Sequence, residues 1–117
     1  MTDLNSQRPA AKAGMKGAGK GAGPTFFSRQ ELQQLLSLYA QQVANGEWRD
    51  YAIDQQPGLV VFSVFRHAAE QPLYAIAKHG QGSEYIVYSG PQRLKRTASL
   101  RDALAVLRKK AAVRAVT

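Results

Sequence analysis

A chain of 117 residues with no cysteine and a formal net charge of +8 is long enough for one small domain, and it excludes a disulfide scaffold and thiolate chemistry. The charge is unevenly placed: Lys and Arg against Asp and Glu run four to one over residues 1–25, four to six over 26–90 and eight to one over 91–117, so the whole surplus sits at the two ends. No apolar run approaches the roughly 20 residues of a spanning helix, and Met1 to Pro9 is too polar for a signal segment, which predicts a cytoplasmic protein with no membrane contact.

Residues 1–25 read as a disordered basic tail. Ala10 to Pro24 holds only Ala, Gly, Lys, one Met and one Pro, with no β-branched or aromatic side chain to bury. Gly14, Gly19 and Lys20 fall at the GxxxxGK spacing of a phosphate-binding loop, whose backbone N–H groups wrap phosphate oxygens. The context fails at each point: Gly21 replaces the magnesium-holding Ser or Thr, no strand precedes the loop, and Pro24 stands where a helix must propagate. What survives is a cationic arm in which Arg8, Lys12, Lys16 and Lys20 recur every four residues, or a merely solubilising leader.

A single compact α+β domain is predicted over 26–112, with 113–117 as a frayed end. Ser28 and Glu31 form a capping box flanked by a Phe27–Leu32 staple, and Asn45-Gly46 supplies a left-handed stop, giving a helix over about 29–45. Its predicted apolar stripe is Leu32, Leu35, Leu36, Tyr39 and Val43, with Gln30, Gln33, Gln34, Gln41 and Gln42 off it. The period then changes to two. Tyr51 to Asp54, Leu59 to Phe65, Leu73 to Lys78 and Glu84 to Tyr88 read as strands, with Pro91 to Thr97 as a fifth at an edge. Links of about four or five residues are too short for parallel crossovers, so the sheet is an antiparallel meander of four to five strands. Ser99 and Asp102 cap a second helix with the stripe Leu100, Ala103, Leu104, Leu107 and Ala111. Both helices should pack on one face of the sheet.

Chemistry-bearing constellations are sparse. His67 and His79 lack both helical i, i+4 spacing and a cysteine neighbour, so no metal site and no cofactor are predicted. No Ser sits in a GxSxG elbow, and Asp50 and Asp54, sharing a strand face near Arg49 and Arg66, read as ion-pair or loop anchors before acid–base groups. The expectation is that the protein is not an enzyme. Gly58 to Phe65 has the flavour of a base-stacking strand, but Phe62 and Phe65 are three apart and point to opposite faces, so core is the better account. Tyr51, Tyr74, Tyr85 and Tyr88 offer a stacking surface only if they face away from the helices.

The strings Gly46-Glu47-Trp48-Arg49-Asp50-Tyr51-Ala52-Ile53-Asp54 and Val61-Phe62-Ser63-Val64-Phe65-Arg66, with Glu70, Pro72-Leu73-Tyr74 and Leu94-Lys95-Arg96, resemble the small proteobacterial family of domain of unknown function 2794 over roughly Phe27 to Leu107. The resemblance implies a compact bacterial cytosolic domain with no established activity, cofactor or catalytic residue. The chain departs from the pattern at His67, where a second basic residue is expected, and in the short link between Lys78 and Tyr85.

Two functions remain. In the first, the tail (Lys12, Lys16, Lys20) and the basic end (Arg93, Lys95, Arg96, Arg101, Arg108, Lys109, Lys110 and Arg114) contact nucleic acid or another polyanion with salt-dependent, largely sequence-blind affinity, and Arg49 with Arg66 forms an anion clamp if both face solvent. In the second, a sheet face or edge docks an acidic protein partner and the basic helix steers the encounter. Solvation and complementing the helix dipole are the purely structural uses of the same charges. Oligomeric state is not encoded in any of these patterns.

Overall fold

The computed structural model describes residues 24–67, 71–80 and 84–116, with side chains through residue 113. Lys12, Lys16, Lys20 and the phosphate-loop match lie outside the described residues, as does the side chain of Arg114. Helix α1 (Arg29–Ala44) is followed by strands β1 (Asp50–Gln56), β2 (Leu59–Phe65), β3 (Tyr74–His79), β4 (Glu84–Ser89) and β5 (Gln92–Thr97) and by helix α2 (Leu100–Val116). The strands form one antiparallel sheet in the order β1-β2-β3-β4-β5, so the predicted meander is present with its fifth strand.

Local chemistry accounts for the boundaries. The capping box is complete: Glu31 N donates to Ser28 Oγ (3.1 Å) and Ser28 N donates to Glu31 Oε1 (2.7 Å). At the other end Asn45 is the C-cap, and Gly46 takes φ +79°, where a side chain would be strained. Pro57 and Gly58 (φ +73°) close the β1–β2 hairpin in two residues, letting β1 run on to Gln56 rather than end near Asp54. Two residues before 26 also make contacts with the sheet. Thr25 is buried, its carbonyl oxygen accepts from Gln55 Nε2 (3.1 Å), and Pro24 bridges Pro57. Helix α2 continues past residue 112 to Val116, with Asp102 N donating to Ser99 Oγ (3.3 Å) at its start.

Both helices cover one face of the sheet. The core between the layers contains Leu35 and Leu38 from α1, Val60, Phe62 and Val64 from β2, Ile76 and Val87 from the central strands, and Leu100, Ala103, Leu104 and Leu107 from α2. The α2 stripe is the predicted one. The α1 stripe is rotated: Leu35, Leu38 and Gln42 are buried, whereas Val43 is 41 % exposed. The chain leaving α1 turns back over Gln42, whose carbonyl oxygen accepts from Glu47 N (2.8 Å) and Trp48 N (3.3 Å), and this reversal covers Gln42 instead of Val43. Phe62 is core as expected. Tyr51, Tyr74 and Tyr85 share the parity of the core residues, so only Tyr88 of the four tyrosines lies on the outer face and no tyrosine platform forms there. Among the described residues no helix is long and apolar enough to cross a membrane.

Candidate polyanion-binding surface

Strand β5 is an edge strand and α2 packs on β4 and β5, which places the two basic stretches of sequence on adjacent elements, with Arg93 and Arg96 on the sheet face turned away from the helices. Arg93, Lys95 and Arg96 on β5 and Arg101, Arg108, Lys109 and Lys110 on α2 are all exposed. The α2 residues spread over about 14 Å of helix at 1.5 Å per residue. Asp102 is the one acidic residue of the sequence from 91 to 117, and Arg96 Nε donates to Glu84 Oε2 on the neighbouring strand while remaining 63 % exposed. The core stripe of α2 forces this display, because burying Leu100, Ala103, Leu104, Leu107 and Ala111 leaves the intervening cationic positions facing solvent.

A concave part lies on the helix side of this surface. A groove of about 350 Å³ between the helices is lined by Gln33, Gln34 and Ser37 of α1 and by Arg101, Leu104 and Arg108 of α2. Two guanidinium groups with amide and hydroxyl donors beside them suit phosphate oxygens. Spacing along the sequence links Arg101 to Arg108 but gives no sign of the α1 residues opposite, which only the helix pairing supplies. Lys109 and Lys110 fall outside that groove, Lys110 on the flank of α2 turned away from α1.

The Arg49–Arg66 pair is not a free clamp. Arg66 Nη1 donates to the buried Glu47 at 3.2 Å, so half of the proposed clamp is already engaged, while Arg49 is exposed and its carbonyl oxygen accepts from Tyr39 OH (3.1 Å). Asp50 and Asp54 do share a face of β1, and they act locally: Asp50 Oδ1 accepts from Tyr51 N (2.8 Å) and Asp54 Oδ2 from Gln56 Nε2 (3.1 Å). A second open cleft of about 350 Å³ beside Arg66 and His67 reaches Gln71, Leu73 and Gly90. Among the described residues no three His, Cys, Asp or Glu side chains gather as metal ligands.

The most polar buried cluster lies elsewhere, under the start of α1. Lys78 Nζ donates to Glu31 Oε1 (2.7 Å) and to the Phe26 carbonyl oxygen (2.7 Å), and Tyr85 OH donates to Glu31 Oε2. Lys78 is 4 % exposed. One signal for it is present in the sequence: Lys78 continues the inward parity of Tyr74 and Ile76, which obliges a charged side chain to find a buried partner. Burial raises the Glu31 carboxyl, but the hydrogen bonds from Lys78, Tyr85 and Ser28 and the Lys78 charge together outweigh it and hold the group below its ordinary value. Burial, then the hydrogen bond and charge of Glu31, push Tyr85 up to about 12. The folded state therefore keeps the phenol proton more tightly than the unfolded chain does. That contribution is complete below about pH 10 and is lost as pH rises towards about 12. Urea midpoints measured from pH 9 to 12 should fall less steeply in Tyr85→Phe than in the native chain.

No curated protein and no solved structure matches the chain. A family model described as protein of unknown function (DUF2794) matches residues 25–104, from the buried Thr25 through the five strands to the second turn of α2, and the chain belongs to that family.

Proposed function

We propose that this protein is a non-enzymatic accessory protein that contacts nucleic acid, or a comparable polyanion, through the β5–α2 flank, with the basic N-terminal segment as a second contact. The observation that supports the reading is the gathering of seven exposed cationic side chains on two adjacent elements, with a groove between Arg101 and Arg108 able to seat a phosphate. Contacts of this kind read charge and spacing, so affinity should depend steeply on salt and little on sequence. The second reading, docking of an acidic protein, draws on the open edge of β5 and the same cations.

Fluorescence anisotropy of labelled single-stranded RNA and DNA across a salt series tests this. Seven phosphate contacts predict a log–log slope of about −5 on single strands. Replacing Arg101, Arg108, Lys109 and Lys110 together by Gln should reduce the slope by about 3 and weaken binding roughly 100-fold at low salt. A chain beginning at Pro24 should lose a further part of the slope. Absence of binding at 50 mM salt removes the reading, and a protein partner that survives nuclease in a pull-down favours the second.

A further inference from the structure

The two walls of the groove between the helices differ in chemistry, and attraction to a polyanion accounts for only one of them. On the α2 side Arg101 and Arg108 stand two turns apart on one face, about 10.5 Å along the axis. On the α1 side Gln33, Gln34 and Ser37 present carboxamides and a hydroxyl and no charge. Gln30 and Gln41 continue that neutral row along α1, and these side chains are exposed. Glu31, the one acid of α1, is turned under the helix to Lys78 and Tyr85, so no carboxylate lines the groove among the described residues. Leu104, 2 % exposed, closes the floor.

We infer that this groove binds one unpaired nucleotide of a single-stranded RNA or DNA, with its flanking phosphates on Arg101 and Arg108 and its base edge on Gln33 and Gln34. The assignment rests on the polyanion reading and names the form of polyanion that the groove takes. A carboxamide sets a donor and an acceptor side by side, the pattern that base edges match, whereas a phosphate oxygen uses the donor alone. Solvation of an outer helix face is served equally well by Lys or Glu, so it does not account for a run of neutral amides facing a cationic wall. Single strands splay their bases outward, where a concave protein surface can receive them. In a duplex the base edges lie at the bottom of its own grooves, so a concave surface meets only the backbone. The groove, about 350 Å³, suits one nucleotide and not a paired stack.

Charge alone favours a duplex, whose phosphates are the more densely spaced, over a single strand. Base contacts in the groove reverse that order. They also contribute affinity that releases no counterions, so losing them lowers binding and leaves the salt slope where it was.

Fluorescence anisotropy of the full chain with labelled oligoadenylate, and with the same strand annealed to its complement, tests the proposal across a salt series. Oligoadenylate should bind roughly ten-fold tighter than the duplex at equal salt, the reverse of the electrostatic order. Gln33→Ala combined with Gln34→Ala should weaken oligoadenylate binding roughly ten-fold, with the salt slope and the duplex affinity unchanged. Alanine at these exposed helical positions keeps α1 folded, which circular dichroism confirms. Arg101→Gln combined with Arg108→Gln should instead lower the single-strand slope by about 1.4. A duplex bound as tightly as the single strand, or a double glutamine variant that binds oligoadenylate like the native chain, overturns the nucleotide site and leaves the polyanion reading standing. Failure of the native chain to bind either probe at low salt overturns both.

Discussion

Glu31→Ala should cost about 3–4 kcal/mol of folding stability, well beyond the roughly 1 kcal/mol of a lost helix cap. Three groups depend on this carboxylate. Ser28 N loses its acceptor at 2.7 Å, Tyr85 OH loses the Oε2 to which it donates, and Lys78 Nζ is left with the Phe26 carbonyl oxygen alone. The Lys78 side chain is 6 % exposed, so the orphaned ammonium has no route to full hydration without opening the junction between α1 and the sheet. Lys78→Met should cost less, about 1–2 kcal/mol, because Glu31 keeps two hydrogen bonds and the favourable field of the helix N-terminus while an apolar side chain takes up the inward position. The double variant should cost well below the sum of the two, because no orphaned ammonium remains, a coupling that urea unfolding followed by circular dichroism measures directly. Acid dependence follows from the same geometry. A carboxyl held below its ordinary value contributes stability that is complete above about pH 4.5 and is lost as pH falls through the folded-state value, so Glu31→Ala should flatten the acid limb of the stability profile. A loss no larger than that of Ser28→Ala would show that the buried pair adds nothing beyond the cap.

Most of the architecture is legible in the residues because its signals are local. Ser28 with Glu31 and Asn45-Gly46 mark α1, and two-residue periodicity bounded by Pro57-Gly58 and Gly90-Pro91 marks the hairpins. Interactions across the tertiary structure are harder to read. Val43 looks like core on a helical wheel, and only the reversal at Glu47 and Trp48 shows that Gln42 is covered instead. The partners of Glu31 lie 47 and 54 positions away, so the residue that closes the cap gives no hint that it also anchors Lys78 and Tyr85. The candidate surface divides the same way. The density of Arg and Lys after residue 91 is plain in the sequence, but its placement on two adjacent elements needs α2 to lie on β5, and the groove needs Gln33, Gln34 and Ser37 from the other end of the chain. Charge alone suggested a clamp of Arg49 and Arg66, whereas burial of Glu47 beside Arg66 turns half of it inward.

Trp48 is the place where the GEWRD string acts on stability, and Trp48→Ala should cost about 3–5 kcal/mol. The indole is 1 % exposed and sits between Tyr39 and Tyr74, with ring centroids 6.4 and 6.3 Å away, filling the angle where α1 leaves the sheet. Removing it opens a cavity beneath the turn that carries Glu47 and Arg49, so the Glu47–Arg66 ion pair should loosen along with the core. Trp48→Phe tests a finer point. Nε1 of the indole is buried with no hydrogen-bond partner among the described residues, a condition that costs about 1–3 kcal/mol. Phenylalanine removes that donor while keeping most of the apolar volume, so the relief should offset much of the lost packing and leave a net cost below about 1.5 kcal/mol. Urea midpoints of the two variants separate the contributions. A Phe variant as damaged as the Ala variant would mean that the second ring of the indole, rather than apolar volume in general, holds the helix against the sheet.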